Sequence, residues 1–388
     1  MRKSYDVVIV GGGVHGLAIA YNLARNGLGK VAVIEKSYIG SGASGRNGEM
    51  IRSAFACEEY IRLYDKSLRI WETLSAELDF NVMFTGDGYL VLAATPDELD
   101  SYRPHIEKHK KFGLNTRLIE AREVSHLIPA LNSQLAVGGI YQPNGGCARH
   151  DAVVWAYAQA ARRLKVEIFP FSEVTDIVVA SGSIDGVKTT KGDIRTRTVV
   201  NAAGAFAGQL AAMAGVKLPL DIYRLEMIVT EPLKPFLRVA LSSPRLASYM
   251  HQTVRGEFAG GAEVEGRRPF MGLKSTRAAV QTIARKFTHL FPGLGGVRLM
   301  RQWAGVISKT PDRGPLLGRT NEIEGFILSA AWGGLGFMGS PAGGQLIAEL
   351  ILTGDPPEEI RPFNPERFKT GKLVIEPTLV GLAPTEKQ

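Results

Sequence analysis

The order of apolar and polar positions divides the chain into elements before any motif is consulted. Val7 to Val10 is a continuous apolar run with the length of a buried strand, and it stops at three glycines. Leu17, Ala18, Ala20, Tyr21, Leu23 and Ala24 then recur at helical spacing, and Val31 to Ile34 forms a second apolar strand. Residues 58–78 predict a helix with Ile61, Tyr64, Leu68, Trp71 and Leu74 on one face, and 89–94 predict a strand. Thr95-Pro96-Asp97-Glu98 is a capping box with proline at the first helical position, opening a helix that runs toward Lys111. Another helix starts near Asp151, which would cap it, and runs to Leu164 with Val154, Tyr157, Ala158 and Ala161 buried. Strands follow at 166–169 and 174–179, then a hairpin through 183–191 and a buried strand at 198–203. Residues 221–261 are β-rich, 276–291 helical, 302–306 and 326–330 strands, and a helix over 341–352 closes the pattern. The proline-rich tail from Pro356 is expected on the surface.

The first of these transitions carries chemistry. Gly11, Gly13 and Gly16 spell G-x-G-x-x-G between the first strand and the first helix, and Glu35 ends the second strand 19 residues later. Each part has a physical task in binding a dinucleotide. Gly11 makes the tight turn, Gly13 admits a pyrophosphate against the backbone, and Gly16 lets the helix pack on the strand. The helix N–H groups from Val14 and the positive end of the dipole receive the diphosphate, and Glu35 accepts from the adenosine ribose. Two further matches to the bare glycine pattern are weaker. Gly40, Gly42 and Gly45 follow no strand, and Gly334, Gly336 and Gly339 lead into a helix with no acid-ended strand behind it. The latter is expected to face a cofactor ring, its helix N-terminus stabilising negative charge there.

The chain returns to the first sheet near 198–204, so the fold class is α/β with a discontinuous Rossmann-type domain. That domain would comprise 1–85, 145–215 and 300–388; segments 86–144 and 216–299 would form a second, α+β substrate domain on an antiparallel sheet. A length of 388 residues accommodates both.

Composition narrows the partners. With 45% hydrophobic and 22% charged residues the chain is globular, and no apolar run approaches the 18 residues of a membrane span. The apolar stretch after Met-Arg-Lys is too short for a secretion signal and is read as the first strand. Cys57 and Cys147 give no disulfide framework and fit a reducing cytoplasm. The net charge of +8 suits anionic cofactors, carboxylate substrates or an acidic partner subunit, whereas no basic run interleaved with aromatics points to nucleic acid. No metal site is expected: His105 and His109 lie four apart on a predicted helix without an acidic third ligand, and are assigned to a solvated face.

The fingerprint at Gly11 to Lys36, Asn-Ala-Ala-Gly at 201 to 204, and Trp-Ala-Gly-x-x-x-x-Thr-Pro-Asp-x-x-Pro-Leu-Leu-Gly at 303 to 318 resemble the D-amino-acid oxidase superfamily of FAD enzymes. Within it, Gly45-Arg46-Asn47 with Ile51-Arg52, and above all Ala148-Arg149-His150-Asp151, resemble the β subunit of heterotetrameric sarcosine oxidase. The resemblance implies FAD-dependent oxidation of a secondary amine or amino acid, with a hydride leaving the carbon beside nitrogen for flavin N5. It implies cofactor contacts from Gly11, Gly13, Val14, Gly16, Glu35 and Lys36, from Ser44, Arg46, Asn47 and Gly48, and from Val174, Ala203, Gly204 and Gly305. Gly334, Gly336, Phe337 and Met338 complete that set. Arg52 matches the substrate-carboxylate ligand; the residues alone also allow an exposed helix-leading arginine or one pairing Glu49. His150 matches a histidine bound covalently to FMN between subunits, with Arg149 beside the FMN phosphate, and so implies an α partner subunit. A neutral imidazole is a competent nucleophile for such a bond.

Two departures matter. The position of the cysteine that links FAD in monomeric sarcosine oxidases is Gly305, which implies noncovalent FAD. The lysine that helps hold the substrate carboxylate is replaced by Met338, which implies a bulkier or less acidic substrate such as proline, hydroxyproline or an opine. A stand-alone FAD oxidase releasing peroxide, and a flavoprotein without amine turnover, are the competing expectations.

Overall fold

The structure, a computed structural model, describes residues 2–264 and 272–379. A six-stranded sheet runs in the order Leu316–Arg319, Phe326–Ala330, Val199–Asn201, Val7–Val10, Val31–Ile34, Glu167–Phe169. Its strands are parallel except for the pair at the Leu316–Arg319 edge. The central strands are buried on both faces, which is why they read as unbroken apolar runs instead of alternating ones. Helices Val14–Arg25, His150–Arg163 and Gly336–Thr353 pack together with Glu58–Glu77 in one apolar core. Small residues set that spacing: a Cβ on Gly344 would lie 2.5 Å from the Cβ of Ala18.

An eight-stranded sheet lies beside it, in the order Leu299–Lys309, Asp221–Pro232, Glu257–Ala262, Ser248–Gln252, Ala240–Ser243, Tyr89–Ala93, Gly138–Gln142, Arg117–Glu120. It is antiparallel apart from one parallel pair, Ala240–Ser243 with Tyr89–Ala93, where two distant segments of the chain meet. The expected hairpin at 183–191 is part of a three-stranded meander, Val174–Ala180, Ser183–Thr189 and Gly192–Arg195. Among the described residues no helix is long and apolar enough to cross a membrane.

The structure corrects several expectations. The helix expected from Pro96 to Lys111 is two helices, Pro96–Ser101 and Arg103–Lys111, because Pro104 supplies no N–H and restarts the turn at its own N-terminus. Thr95 caps as expected, accepting from the Glu98 N–H at 3.2 Å, but the Glu98 carboxylate reaches the N–H of Ala94 instead of the cap residue. His109 is fully buried and not on a solvated face. Its ring nitrogens meet the Phe55 carbonyl at 2.7 Å and the Thr116 hydroxyl at 2.9 Å, so it ties the helix to the loop after Arg52. Asp151 is not the cap of its helix; it lies in the first turn and pairs with Arg149. The tail from Pro356 is not a surface strand of chain either. Phe363, Arg367 and Glu376 are buried, and the Glu376 carboxylate accepts from the N–H groups of Ala56 and Cys57 at 2.9 and 2.7 Å.

Candidate active site

The glycine turn and both sheets enclose one cleft of about 620 Å³. Gly11 adopts φ 118°, and a Cβ there would sit 2.3 Å from the Ala202 carbonyl, so this turn accepts no side chain. Gly13 opens the first helix from an extended conformation, and a Cβ on it would enter the cleft beside Ser44 Oγ, 3.0 Å away. The Ser44 hydroxyl accepts from the Val14 N–H at 2.9 Å, and the first turn of the helix carries no acid to neutralise its dipole. Glu35 is buried, its two oxygens accepting from Gly12 and Ser37 N–H groups, each at 2.8 Å. Lys36 lies 3.0 Å above the Phe206 ring, and Ala203 and Gly204 follow the neighbouring strand onto the same wall.

At the other end, Gly333 and Gly334 take left-handed φ values of 59° and 98° and lead into the helix Gly336–Thr353. His15 reaches across from the first helix. Its Nε2–H donates to the Gly336 carbonyl at 2.8 Å, and its ring stacks on Trp332 with centroids 4.1 Å apart. Burial pushes the His15 imidazole down to about 3 against the pull of that hydrogen bond, so the ring is neutral. The helix begins at Gly336, five residues before the start expected at Pro341, so Pro341 lies inside it and the freed carbonyls find side chains. Phe337 O accepts from the Ser340 hydroxyl at 2.8 Å, and Met338 O accepts from Ser67 Oγ at 2.6 Å and Trp71 Nε1 at 2.9 Å. These contacts fix Met338 on the cleft wall. His15 and Ser67 were not singled out in the sequence, and Trp71 only as part of a buried helix face; a proline at the sixth position of an apolar helix was the available signal.

Arg52 lies on the same cleft and is only 4% exposed. Its guanidinium sits 4.0 Å from the Phe55 ring centre and 5.6 Å from that of Tyr89, and donates to the Ala54 carbonyl. Gln142 holds this segment by accepting from the N–H groups of Ser53 and Ala54 at 2.9 and 3.1 Å. Among the described residues no carboxylate pairs with Arg52. Glu49, the alternative partner, is turned to His150, whose Nδ1 lies 2.5 Å from Glu49 Oε1. Glu49 takes φ 61° and also lies 3.6 Å from buried His251. Burial raises the Glu49 pKa, but the His150 hydrogen bond and the nearby His150, His251 and Arg149 charges overcome this and hold it below its ordinary value. Arg149 forks onto Asp151 at 3.2 and 3.0 Å.

Of the residues singled out in the sequence, Gly16 lies beneath the glycine turn, and Arg149 and His150 lie outside the cleft behind Glu49. The rest, including Arg46, Asn47, Gly48, Val174, Gly305, Gly336 and Phe337, line it. A Cβ on Gly305 would touch Arg46 at 3.2 Å, so the two segments meet there.

The profile of the DAO family, FAD dependent oxidoreductase, matches residues 6–350. The chain belongs to this FAD-dependent oxidoreductase family. Within the family it is 34% identical over 387 residues to sarcosine oxidase subunit beta of Rhodobacter capsulatus, covering 98% of this chain and 93% of that one. L-proline dehydrogenase from P. horikoshii superposes with a TM-score of 0.91 at 33% identity, covering 96% of this chain and 100% of that one. Glycine oxidase from Geobacillus kaustophilus gives 0.86 at 26% identity, covering 94% and 99%.

The cleft fits FAD on its own chemistry. Gly13 leaves a gap that a side chain would fill, the helix start presents an uncompensated positive end, and a buried carboxylate flanks it. Gly13→Val is accordingly expected to give folded, colourless protein, since the added side chain enters that gap. Absorbance near the flavin bands and circular dichroism check this; full flavin in a folded variant would remove Gly13 from the cradle.

Proposed function

We propose that this chain oxidises a secondary amine or N-substituted amino acid at the carbon beside nitrogen, as the catalytic β-type subunit of a heteromeric complex that passes electrons to FMN. Arg52 carries the reading: it is a buried cation on the cofactor cleft with no acidic partner among the described residues. FAD, when bound, supplies the two-electron acceptor. Gly11, Gly13, Val14 and Glu35 would hold its adenosine and diphosphate, and the helix start at Gly336, Phe337 and Met338 would face its ring. Arg52 would bind the substrate carboxylate through two parallel donors and so orient the carbon that loses hydride. Met338, Leu225, Met227 and Ile307 give the cleft apolar walls that keep water from the reacting bond. His15 remains neutral and adds no charge beside the cradle.

The names of the relatives support the substrate class, because sarcosine and proline are both secondary amino acids. The division into a cofactor part (1–85, 145–215, 300–388) and a substrate part (86–144, 216–299) belongs to the same reading. The test is an anaerobic screen of N-substituted amino acids against the FAD-loaded protein. Bleaching of the visible flavin bands by at least one of them is expected, and a chain that none reduces is not an amine oxidoreductase. Rapid peroxide release by the chain alone would favour a stand-alone oxidase.

The FMN part rests on His150. In the tautomer that donates Nδ1–H to the Glu49 carboxylate, the Nε2 lone pair is the one left for a bond to FMN, and the residue is half-buried. "Subunit beta" in the relatives' names supports a partner subunit. The isolated chain is expected to hold FAD alone, and the native complex FAD plus FMN. Acid precipitation followed by mass measurement of the tryptic peptide containing His150 should find the added mass of FMN. A native complex whose only flavin is FAD refutes the second site.

A further inference from the structure

One cation of the cleft has no task in the scheme above. Arg313 follows Asp312 in the turn after the strand Leu299–Lys309, and its side chain lines the same cleft as Arg52. It takes a left-handed φ of 64°, a conformation costly for a residue with a Cβ, and its own N–H closes the turn onto the Thr310 carbonyl at 3.0 Å. The adjacent carboxylate gives it no help, because Asp312 is forked to Arg367. Among the described residues Arg313 makes no ion pair, and its Nη2 is buried without a hydrogen-bond partner. Burial pulls its pKa down, while the charge of Glu263, also on the cleft wall, pulls it up without the two groups meeting in an ion pair.

The surroundings say what could meet it. Tyr223 and Ile307 are register partners on adjacent strands, as are Leu225 and Gly305, and all four line the cleft. They make a mostly apolar floor. The ammonium of Lys309 lies 5.0 Å above the Tyr223 ring, adding positive charge on the Arg313 side of that floor. Arg52 stands on a different wall, between Phe55 and Tyr89. A buried donor without a partner is unfavourable unless a ligand completes it, and guanidinium is built to take a carboxylate through parallel N–H groups.

We propose that Arg313 is a second anion subsite of the cleft, so that the amine oxidised carries two carboxylates, one bound by Arg52 and the other by Arg313. The substrate class is thus an N-(carboxyalkyl)amino acid, with the secondary nitrogen lying between the two acids. This rests on the amine-oxidation reading and extends it to the far end of the substrate. The oxidation removes a hydride from the carbon beside nitrogen and a proton from the nitrogen. The resulting imine is hydrolysed by water to a primary amine and a carbonyl compound, with neither carboxylate consumed.

The FAD-loaded protein is titrated anaerobically with N-methylglycine and with N-(ω-carboxyalkyl)glycines of increasing chain length, following both the shift of the flavin bands on binding and their bleaching. At least one dicarboxylate is expected to bind roughly 10- to 100-fold more tightly than N-methylglycine, the range expected for one charged hydrogen-bonded contact. Arg313→Gln should erase that advantage, leave N-methylglycine binding and FAD content unchanged, and Arg313→Lys should restore part of it. Equal weakening of mono- and dicarboxylates, or an altered flavin spectrum in the ligand-free variant, overturns the subsite. A dicarboxylate advantage in binding without bleaching by any compound would keep the subsite and reject amine oxidation. Bleaching by all compounds without discrimination would do the reverse.

Discussion

Replacing Arg367 by methionine is expected to destabilise the protein by about 3–5 kcal/mol at neutral pH, the range for removing one partner of a buried ion pair. Arg367 and Asp312 are each 4% exposed, and the pair is bidentate, with Nε–Oδ2 at 2.7 Å and Nη2–Oδ1 at 2.9 Å. The remaining guanidinium donors go to the carbonyls of Phe363, Gly314 and Asn364, at 2.7, 2.9 and 3.3 Å. Asp312 also accepts from Thr310 Oγ1, Gly314 N and Val374 N, so it stitches the turn before Arg313 to the tail. Burial alone would raise the Asp312 pKa; Arg367 and these hydrogen bonds win and hold it below the ordinary value. A carboxylate depressed in the fold contributes stability that is complete above its unfolded pKa of about 4 and is lost as pH falls through the lower folded value. Without Arg367 the buried carboxylate is unpaired and its pKa moves up, so the variant's deficit should be largest near pH 7 and shrink on acidification. Denaturant midpoints at pH 7 and near pH 4 test this. An unchanged midpoint at pH 7, or a deficit that grows in acid, would show that the pair does not anchor the tail. Asp312→Asn combined with Arg367→Met should recover part of the loss, because it removes the stranded charge.

The same pair marks where sequence pattern stops being informative. Strands such as Val7–Val10 and Phe326–Ala330 are legible because burial on both faces demands an unbroken apolar run. The turn at Gly11 is legible because backbone conformation excludes other residues. The tail misleads because its anchoring is long-range: Arg367 and Glu376 look like solvated charges until Asp312 and the N–H groups of Ala56 and Cys57 arrive from elsewhere in the chain. His109 misleads for the same reason, since the Phe55 carbonyl that it serves lies 54 positions away. On the cleft, residues set within one motif, such as Gly13 and Glu35, are visible by spacing. His15, Trp332, Ser67 and Trp71 are not, because they act through carbonyls of a distant helix distorted by Pro341. Arg313 falls in the unspecified part of its motif, where only the fold reveals that its guanidinium has no partner among the described residues.

Arg52→Gln is expected to lower kcat/KM for a carboxylate-bearing substrate by roughly 2–5 kcal/mol in barrier terms, while FAD content stays constant. The argument begins with what surrounds the guanidinium. Two aromatic faces and one backbone carbonyl contact it, none of which neutralises a full charge, and the nearest candidate acid in sequence, Glu49, is engaged with His150. Cation–π contacts recover part of the lost hydration, and a substrate carboxylate would recover much more. Glutamine keeps a donor and the approximate length but has neither the charge nor the parallel fork, so both binding and orientation of the reacting carbon suffer. KM should therefore rise and kcat fall together, where a merely structural arginine would lower the amount of folded protein and leave the kinetics of the remainder alone. A secondary amine lacking any carboxylate provides the control: the wild type should oxidise it slowly, and Arg52→Gln should be no slower. If the variant loses equally on both compounds, Arg52 supports the wall formed by Phe55 and Tyr89. If kcat/KM for the acid stays within a factor of two of wild type, the substrate's carboxylate binds elsewhere, and the cleft must be re-read from Arg313 outward.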